Sequence, residues 1–305
     1  MSRYIASRLV QMTIVIFVVS VMVFLMVRLR GDMLSVMPLH ELSSEQIEQL
    51  RRAWGLDRPL YEQYIVFLTR ALRGDFGESR RYNRAAMELV MQRLPWTYLL
   101  AGASAVIALV VAIPLGVLSA VRRNSVIDLI GTGFATLGAA VPNFWIGIML
   151  ILLFSVTLRA LPAFGAESWQ TLIMPATTLG LGMAARLARM TRSAMLEVIG
   201  QDYIRTARAK GLANQSVIYR HALRNALIPV VTAFALQLGW LLGGAVVVEQ
   251  VFAWPGLGRL MVEAIGFRDI TIVQAGVFWF ALTFILINLA VDILYTVLDP
   301  RIRYA

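Results

Sequence analysis

The stretch "DYIRTARAKGLANQSVIYRHALRNALIP", residues 202–229, lies between two long apolar runs and contains the only lysine of the chain, Lys210. Four arginines accompany that lysine, which makes this the most densely basic segment of the sequence. Asp202 is predicted to cap a helix over residues 203–210, because a carboxylate accepts hydrogen bonds from the first backbone N–H groups. The cations at the end of this helix lie where its dipole favours positive charge, and Gly211 suits the left-handed residue that follows.

The second half of the stretch predicts another helix, which begins near Asn214 or Ser216 and ends at Pro229. A helix of about eight residues is not stable alone in water, so the rest of the protein or a partner must hold the first helix in place. Contact with lipid headgroups explains the arginines, but a helix that binds headgroups presents a wide apolar face. The first helix has only a narrow one, and its defined ends fit better a plug seated in the groove of a partner protein.

The composition is that of an integral membrane protein, because the mean hydropathy of the 305 residues is +0.71 and only 15% of them are charged. A soluble protein carries about 25% charged residues. The net charge of +10 comes mainly from arginines in loops beside apolar segments. That distribution follows the positive-inside rule and argues against a nucleic-acid partner. The chain has no cysteine, which excludes disulfides and thiolate metal sites.

Six segments are apolar over about 20 residues, the length of a helix that crosses a bilayer. They are residues 9–29, 97–121, 132–158, 172–190, 229–251 and 272–298. The fourth is rich in Gly, Ala and Thr, which favours close helix contacts inside a bundle. With the N-terminus in the cytoplasm, the arginines of the short loops fall mostly on the cytoplasmic side. The sequence therefore predicts an all-α protein with six transmembrane helices and both termini in the cytoplasm.

This topology divides the chain into four parts, the second of which is extracytoplasmic. They are a first transmembrane helix with its cytoplasmic N-terminus (1–29), a helical extracytoplasmic segment (30–94), a domain of five transmembrane helices that includes the loop 200–228 (95–298), and a cytoplasmic tail (299–305). In the extracytoplasmic part, Ser43 and Gln46 form a capping box, and Pro59 and Gly74 mark the start and end of a further helix. So small a segment buries little core alone and is expected to lean on the rest of the protein, either as a spacer or as a docking surface for an external partner.

Several polar, aromatic or helix-breaking residues in the spans are candidates for a pathway or a gate. They are Pro142, Asn143, Gln237, Trp254, Pro255, Asn288 and Asp292. Each also has a purely structural interpretation: a packing kink, a bridge to another helix, an aromatic anchor at the membrane surface, or an acid paired with an arginine. For Asp292 the structural interpretation is favoured. Three arginines at the inner end of the fourth span, Arg186, Arg189 and Arg192, are expected to contact lipid headgroups, with a gate as the alternative.

Catalytic and metal-binding patterns are missing from the sequence. The only histidines, His40 and His221, have no His or carboxylate at ligand spacing, so no metal site is predicted. No Ser-His-Asp arrangement or paired carboxylates suggest catalysis. The single lysine lacks the G-x-x-x-x-G-K-[ST] pattern, so the chain has no standard nucleotide site of its own.

The basic stretch resembles the EAA loop of ABC importer permeases, whose pattern is E-A-A, three residues, G, nine residues, I-x-L-P. The positions that fall on this pattern are Arg205, Thr206, Ala207, Gly211, His221, Leu223 and Arg224. Its departures from the general pattern are similar to those of dipeptide, oligopeptide and nickel importer permeases. Other stretches resemble the same branch: "GLDRPLYEQY", "GDFGES", "IPLGVLSAVRRNSVID", "VPNFWIG", "MPATTLGLG", "VFAWPGLGRL" and "DPRIRY". A departure is "RGDML", where Arg30 and Met33 replace the prolines of the family's P-G-D-P turn.

This resemblance implies a type I ABC importer fold in the cytoplasmic (inner) membrane of a prokaryote. The implied partners are a homologous second permease subunit, two cytoplasmic ATPase subunits that bind ATP and Mg, and an extracytoplasmic substrate-binding protein. The residues implied to contact the ATPase are Asp202, Tyr203, Ile204, Arg205, Thr206, Ala207, Arg208, Lys210, Gly211, His221, Leu223 and Arg224. Short peptides are the expected substrate, with a nickel complex, glutathione or an oligosaccharide as alternatives. The hypothesis from another class is a secondary transporter driven by an ion gradient.

Overall fold

The computed structural model describes residues 2–29, 48–49, 52 and 57–298, which form helices and one short β-ribbon. The helices are α1 (Ser2–Leu29), α2 (Leu60–Ala71), α3 (Ala86–Val121), α4 (Val126–Ala140), α5 (Asn143–Leu150), α6 (Gln170–Ile199), α7 (Asp202–Ala209), α8 (Asn214–Ser216), α9 (Leu223–Val251), α10 (Leu257–Gly266) and α11 (Ile270–Leu298). Ile151–Thr157 and Val217–Ala222 are π-helical continuations. The ribbon pairs β1 (Glu78–Ser79) antiparallel with β2 (Arg84–Ala85). The predicted helical class is confirmed, with the ribbon as an addition.

The chain forms two compact units, the first from Met1–Pro95 and Leu260–Leu286 and the second from Trp96–Arg259 and Ile287–Ala305. In the first unit, α2 packs on α1, where Ser20 Oγ and the Tyr64 hydroxyl share a hydrogen bond of 2.7 Å. A row of aromatic rings continues from this contact through the unit: Phe24, Tyr64, Phe67, Phe76 and Phe278. The segment after the first helix thus leans on transmembrane helices, as predicted.

The turn signals of that segment are confirmed where the structure describes them. Pro59 is the N-cap of α2, and Gly74, with φ +77°, adopts the left-handed conformation after its last turn. The ribbon is held by Ser79 Oγ, which donates to Asp269 Oδ2 at 2.6 Å. The predicted capping box at Ser43 and Gln46 lies outside the described residues.

The second unit is built around α6, most of whose apolar length is buried. Small residues let neighbouring helices approach it closely. A Cβ atom at Gly116 of α3 would lie 2.5 Å from the Thr191 Cβ, and one at Gly138 of α4 would lie 2.6 Å from the Ala185 Cβ. The prediction that the Gly/Ala/Thr-rich segment packs inside a bundle is therefore confirmed.

The third predicted span, residues 132–158, is not one straight helix. Within the described part of the chain, four helices are long and apolar enough to cross a membrane, while Val126–Ala140 and Asn143–Thr157 form a pair bent by 107°. The break falls at Val141 and Pro142, both in extended conformation. A residue before proline avoids the helical region, and proline has no N–H to continue the helix. The first predicted span corresponds to a shorter apolar stretch of α1, Val10–Met26.

Candidate functional site

The basic stretch folds as predicted into a short helix, α7, followed by a glycine turn. Asp202 is not the N-cap: Gln201 is the extended residue, and Asp202 lies in the first turn, where it forms an exposed ion pair of 3.6 Å with Arg205. A carboxylate in the first turn still interacts favourably with the helix dipole. Gly211 has φ +75°, which confirms the predicted left-handed position after the helix.

The two buried residues of α7 are Ile204, 0% exposed, and Ala207, 7% exposed. They pack into an apolar cluster contributed mainly by α3, α6 and the segment from Val217 onward. Its buried members are Val117, Ala120, Ala194, Met195, Val217, Ile218, Ala222, Ala226 and Val230. A hydrogen bond from Asn225 Nδ2 to the Tyr203 hydroxyl, 2.9 Å long, ties α7 to α9. The rest of this protein therefore holds the helix that cannot be stable alone.

The opposite face of α7 and the turn after it are exposed and basic. The exposed residues there are Arg205, Thr206, Arg208, Lys210 and Gly211. Further along the chain, Arg220 in the π-helical turn and Arg224 at the start of α9 are also exposed, whereas His221 and Leu223 are half-buried. The predicted ATPase-contact residues therefore divide: the basic ones are exposed, whereas Ile204 and Ala207 are buried in the apolar cluster and are not available to a partner. The exposed basic surface suits a partner with an acidic groove.

The second helix of the stretch differs from the prediction. It begins at Asn214 with Ala213 as N-cap, and it does not end at Pro229 but continues through the π-helical turn into α9. A proline inside a membrane-spanning helix is tolerated where neighbouring groups satisfy the freed carbonyl. The basic loop is consequently joined rigidly to the fifth predicted span.

Two of the predicted pathway residues lie along the contact between α6 and α9. Asn143 begins α5, and its amide occupies the space above Gly182, where a Cβ atom would lie 2.5 Å from Oδ1. Gln237 accepts a hydrogen bond of 2.8 Å from Arg186 Nε, so this glutamine joins α9 to α6, and whether it also faces a pathway stays a prediction. Pro142 is the exposed residue at the break before α5.

The other pathway candidates lie elsewhere. Trp254 is 1% exposed, and its Nε1 donates to the Trp96 carbonyl at 3.0 Å, so an anchoring role at the membrane surface is wrong. Pro255 follows it and is half-buried. Asn288 and Asp292, both half-buried, lie one turn apart on α11, and pairing of the acid with an arginine stays a prediction.

The arginines of α6 form hydrogen bonds within the chain. Arg189 donates to the Ala135 carbonyl at 2.9 Å. Arg192 forms a bidentate ion pair with Asp128, at 2.6 and 2.8 Å, which joins α6 to α4. These bonds tie α6 to α4, while contact of the α6 arginines with lipid headgroups stays a prediction.

Sequence reasoning missed a buried carboxylate that organises the loop after α9. Glu249 is 0% exposed and accepts hydrogen bonds from Thr97 Oγ1 at 2.6 Å and from the Arg259 backbone N–H at 3.0 Å. The loop passes so close to it that a Cβ atom at Gly256 would lie 2.2 Å from the carboxyl carbon. The signal was present, since an acid inside the apolar run "AVVVEQVF" is a functional or structural residue by default.

Among residues 2–29, 48–49, 52 and 57–298, no group of three or more His, Asp or Glu side chains is placed to hold a metal ion. The long apolar helices define an integral membrane protein that presents a docked cationic helix. Residues 112–304 match the family "Binding-protein-dependent transport system inner membrane component", and residues 1–101 match the N-terminal part described for the same transport systems. The chain belongs to this family.

Relatives of similar length support that assignment. The chain is 44% identical over 305 residues to the "Glutathione transport system permease protein GsiC" of Escherichia coli K12, and equally to that of Shigella dysenteriae serotype 1, with 100% of both chains covered. Its fold is similar to that of the inward-facing MetNI methionine ABC transporter, with a TM-score of 0.58 and 23% identity over 70% of this chain and 97% of the other.

The chain is therefore a permease subunit of a type I ABC importer and a multi-pass protein of the inner membrane. It is a transport subunit and not an enzyme, because ATP hydrolysis belongs to the ATPase subunits of such importers. ATPase subunits and a substrate-binding protein are its partners. The importer hypothesis is confirmed, and the alternative of a carrier driven by an ion gradient falls away.

Proposed function

We propose that this permease imports short peptides, with glutathione the first to test, and that α7 is the element through which the ATPase drives it. The substrate proposal is supported by the 44% identity with the GsiC permeases, whose name assigns them to glutathione transport. Glutathione is itself a tripeptide, so it falls within the class of short peptides that the sequence motifs suggest.

The division of α7 into a buried and a basic face supports the coupling role. Ile204 and Ala207 fix the helix to the bundle, while its basic side chains stay exposed at the surface. A partner shifts a conformational equilibrium only if it binds the two states differently. A docked helix would transmit such a difference to the bundle, because movement of the ATPase surface would move the helices on which α7 packs.

The proposed topology has six spans, cytoplasmic termini and a homologous second permease beside this chain. The four long helices, the bent pair and the stretch Val10–Met26 together supply six apolar passages. With that count, the arginine-rich loops fall on the cytoplasmic side. The path between two such subunits would be lined by both.

Transport is tested with the permease pair, the ATPases and the binding protein reconstituted in liposomes. Labelled glutathione should accumulate only with ATP and the binding protein present. Uptake that is independent of ATP, or no uptake of glutathione and of any dipeptide or tripeptide, would contradict the proposal.

Coupling is tested with Ala207→Pro, which breaks α7 at a cost of about 3 kcal/mol or more. The variant should insert in the membrane but lose uptake and ATPase stimulation. Ala213→Pro is the matched control, because Ala213 already has φ −54°, close to the angle that proline imposes. Equal uptake by both variants would refute the coupling role.

The orientation is tested with Arg205→Cys, since the chain has no other cysteine to interfere. A membrane-impermeant maleimide should label this cysteine only in inside-out vesicles. Labelling in intact cells would place α7 on the outer side and refute the topology.

A further inference from the structure

The side chain of Arg186 is exposed although it belongs to a helix that crosses the membrane. It lies in α6, and its partner Gln237 lies at the centre of α9. A guanidinium is costly in hydrocarbon and is found in membrane proteins facing a water-filled cavity or another polar group. The face of the α6–α9 contact that carries Arg186 is therefore not a lipid-facing surface.

The contacts of Arg186 leave most of its hydrogen-bonding capacity unused. Nε donates to Gln237 Oε1 at 2.8 Å, and Gln237 Nε2 donates to the Ala233 carbonyl at 3.3 Å, which fixes the amide orientation. A guanidinium has five N–H donors. Within the part of the chain that the structure describes, neither terminal nitrogen of Arg186 has a hydrogen-bond acceptor, and no carboxylate forms an ion pair with it.

The neighbouring arginines of α6 are committed to the fold. Arg192 is neutralised by Asp128, and Arg189 donates from Nη2 to the Ala135 carbonyl. Arg186 differs from both, because its side chain is oriented by a neutral amide while its forked end is left for something outside this chain. A planar fork of this kind matches a carboxylate in bidentate geometry.

A second amide lies on the same contact between the helices. Asn143 lies against Gly182, which is one turn from Arg186 along α6. It also lies against Gly244, two turns from Gln237 along α9, where a Cβ atom would be 3.6 Å from Asn143 Nδ2. The missing side chains at these glycines make room for the amide. Three polar side chains thus share one line along otherwise apolar helices.

We propose that Arg186 is a carboxylate-binding site on the translocation path, held in place by Gln237, and that it recognises the carboxylate of a peptide in transit. The inference rests on the proposed function and adds a substrate class to it: acids pass through this subunit with a specific contact that amides do not make.

The test uses the reconstituted importer with two labelled probes, trialanine and its C-terminal amide. Loading of the binding protein is measured for each probe, so that rates are compared at equal occupancy. Arg186→Met should lower trialanine uptake about tenfold or more, because it removes one hydrogen bond to a charged group. Uptake of the trialanine amide should change less than about twofold, because the amide does not make that bond. Arg186→Lys should lie between, because it keeps the charge without the fork. Arg123→Met, which removes an exposed loop arginine, is the matched control.

Direct binding of both probes to the detergent-purified complex without binding protein gives a second measurement. Weaker binding of trialanine alone in Arg186→Met supports the site. Equal losses for both probes, or no loss, overturn it. Loss of the second permease from the purified variant also overturns it, because Arg186 would then pair with that subunit. The two proposals can fail separately. If the wild-type complex hydrolyses ATP and imports glutathione, and Arg186→Met imports both probes normally, the site alone is refuted. If the wild-type complex shows no ATP-dependent uptake, the proposed function is refuted as well.

Discussion

Replacing Ile204 by alanine tests whether packing alone holds α7 in its working position. The side chain is 0% exposed and inserts between α3, α6 and the π-helical turn. Replacing a buried isoleucine by alanine costs about 2–5 kcal/mol. The other fixed contacts of α7 are the small Ala207 and the Tyr203–Asn225 hydrogen bond, which contributes about 1 kcal/mol.

The loss is therefore comparable to all of the docking free energy of this eight-residue helix. Each 1.4 kcal/mol changes a population about tenfold, so the undocked state should rise by about 30-fold or more. Insertion and the transmembrane bundle should be preserved, because the cluster keeps its other members. Uptake should fall strongly, since an undocked helix no longer transmits movement of the ATPase.

Amide hydrogen exchange across residues 202–210 in the assembled importer measures the docking, and ATP-driven uptake measures the consequence. Ile204→Val is the matched control and should cost only about 0.5–1.5 kcal/mol. Wild-type exchange rates in Ile204→Ala would refute the packing argument. Faster exchange with undiminished uptake would refute the coupling argument.

Three further substitutions test local geometry by thermal melting of the purified subunit complex. Gly256→Ala should destabilise the complex by about 2 kcal/mol or more, because the new Cβ would lie 2.2 Å from the Glu249 carboxyl carbon. Gly243→Ala is the control, because a Cβ atom at Gly243 has no heavy atom within 4 Å, and equal melting temperatures of the two variants would contradict the argument. Gly211→Ala should lower the stability by about 1–2 kcal/mol, because the backbone at this position has a φ of +75°. Gly211→Asn should lower it less, and a larger loss for Asn than for Ala would argue against backbone strain as the cause. Trp254→Phe should cost about 1 kcal/mol through its lost bond to the Trp96 carbonyl, and an unchanged melting temperature would show that this bond contributes nothing.

The local features of the coupling element were predictable from the sequence because they depend on neighbouring residues. A glycine at the end of a basic eight-residue helix indicated the turn at Gly211, and Pro59 and Gly74 marked α2 in the same way. The N-cap shifted by one residue, from Asp202 to Gln201, since both are compatible with the same first turn. The break at Pro142 was also readable locally, but the apolar run on either side suggested one continuous span.

The sequence by itself determined the class of the protein, because apolar length and arginine placement follow from the low polarity of the bilayer. Only the tertiary structure decided which polar residues meet. Arg186 with Gln237, Arg192 with Asp128 and Glu249 with Thr97 are far apart in the chain. Their pairing depends on how each helix is rotated about its axis. In a membrane both the lipid-facing and the bundle-facing sides of a helix are apolar, so hydrophobic periodicity does not specify that rotation, and close packing at glycines does.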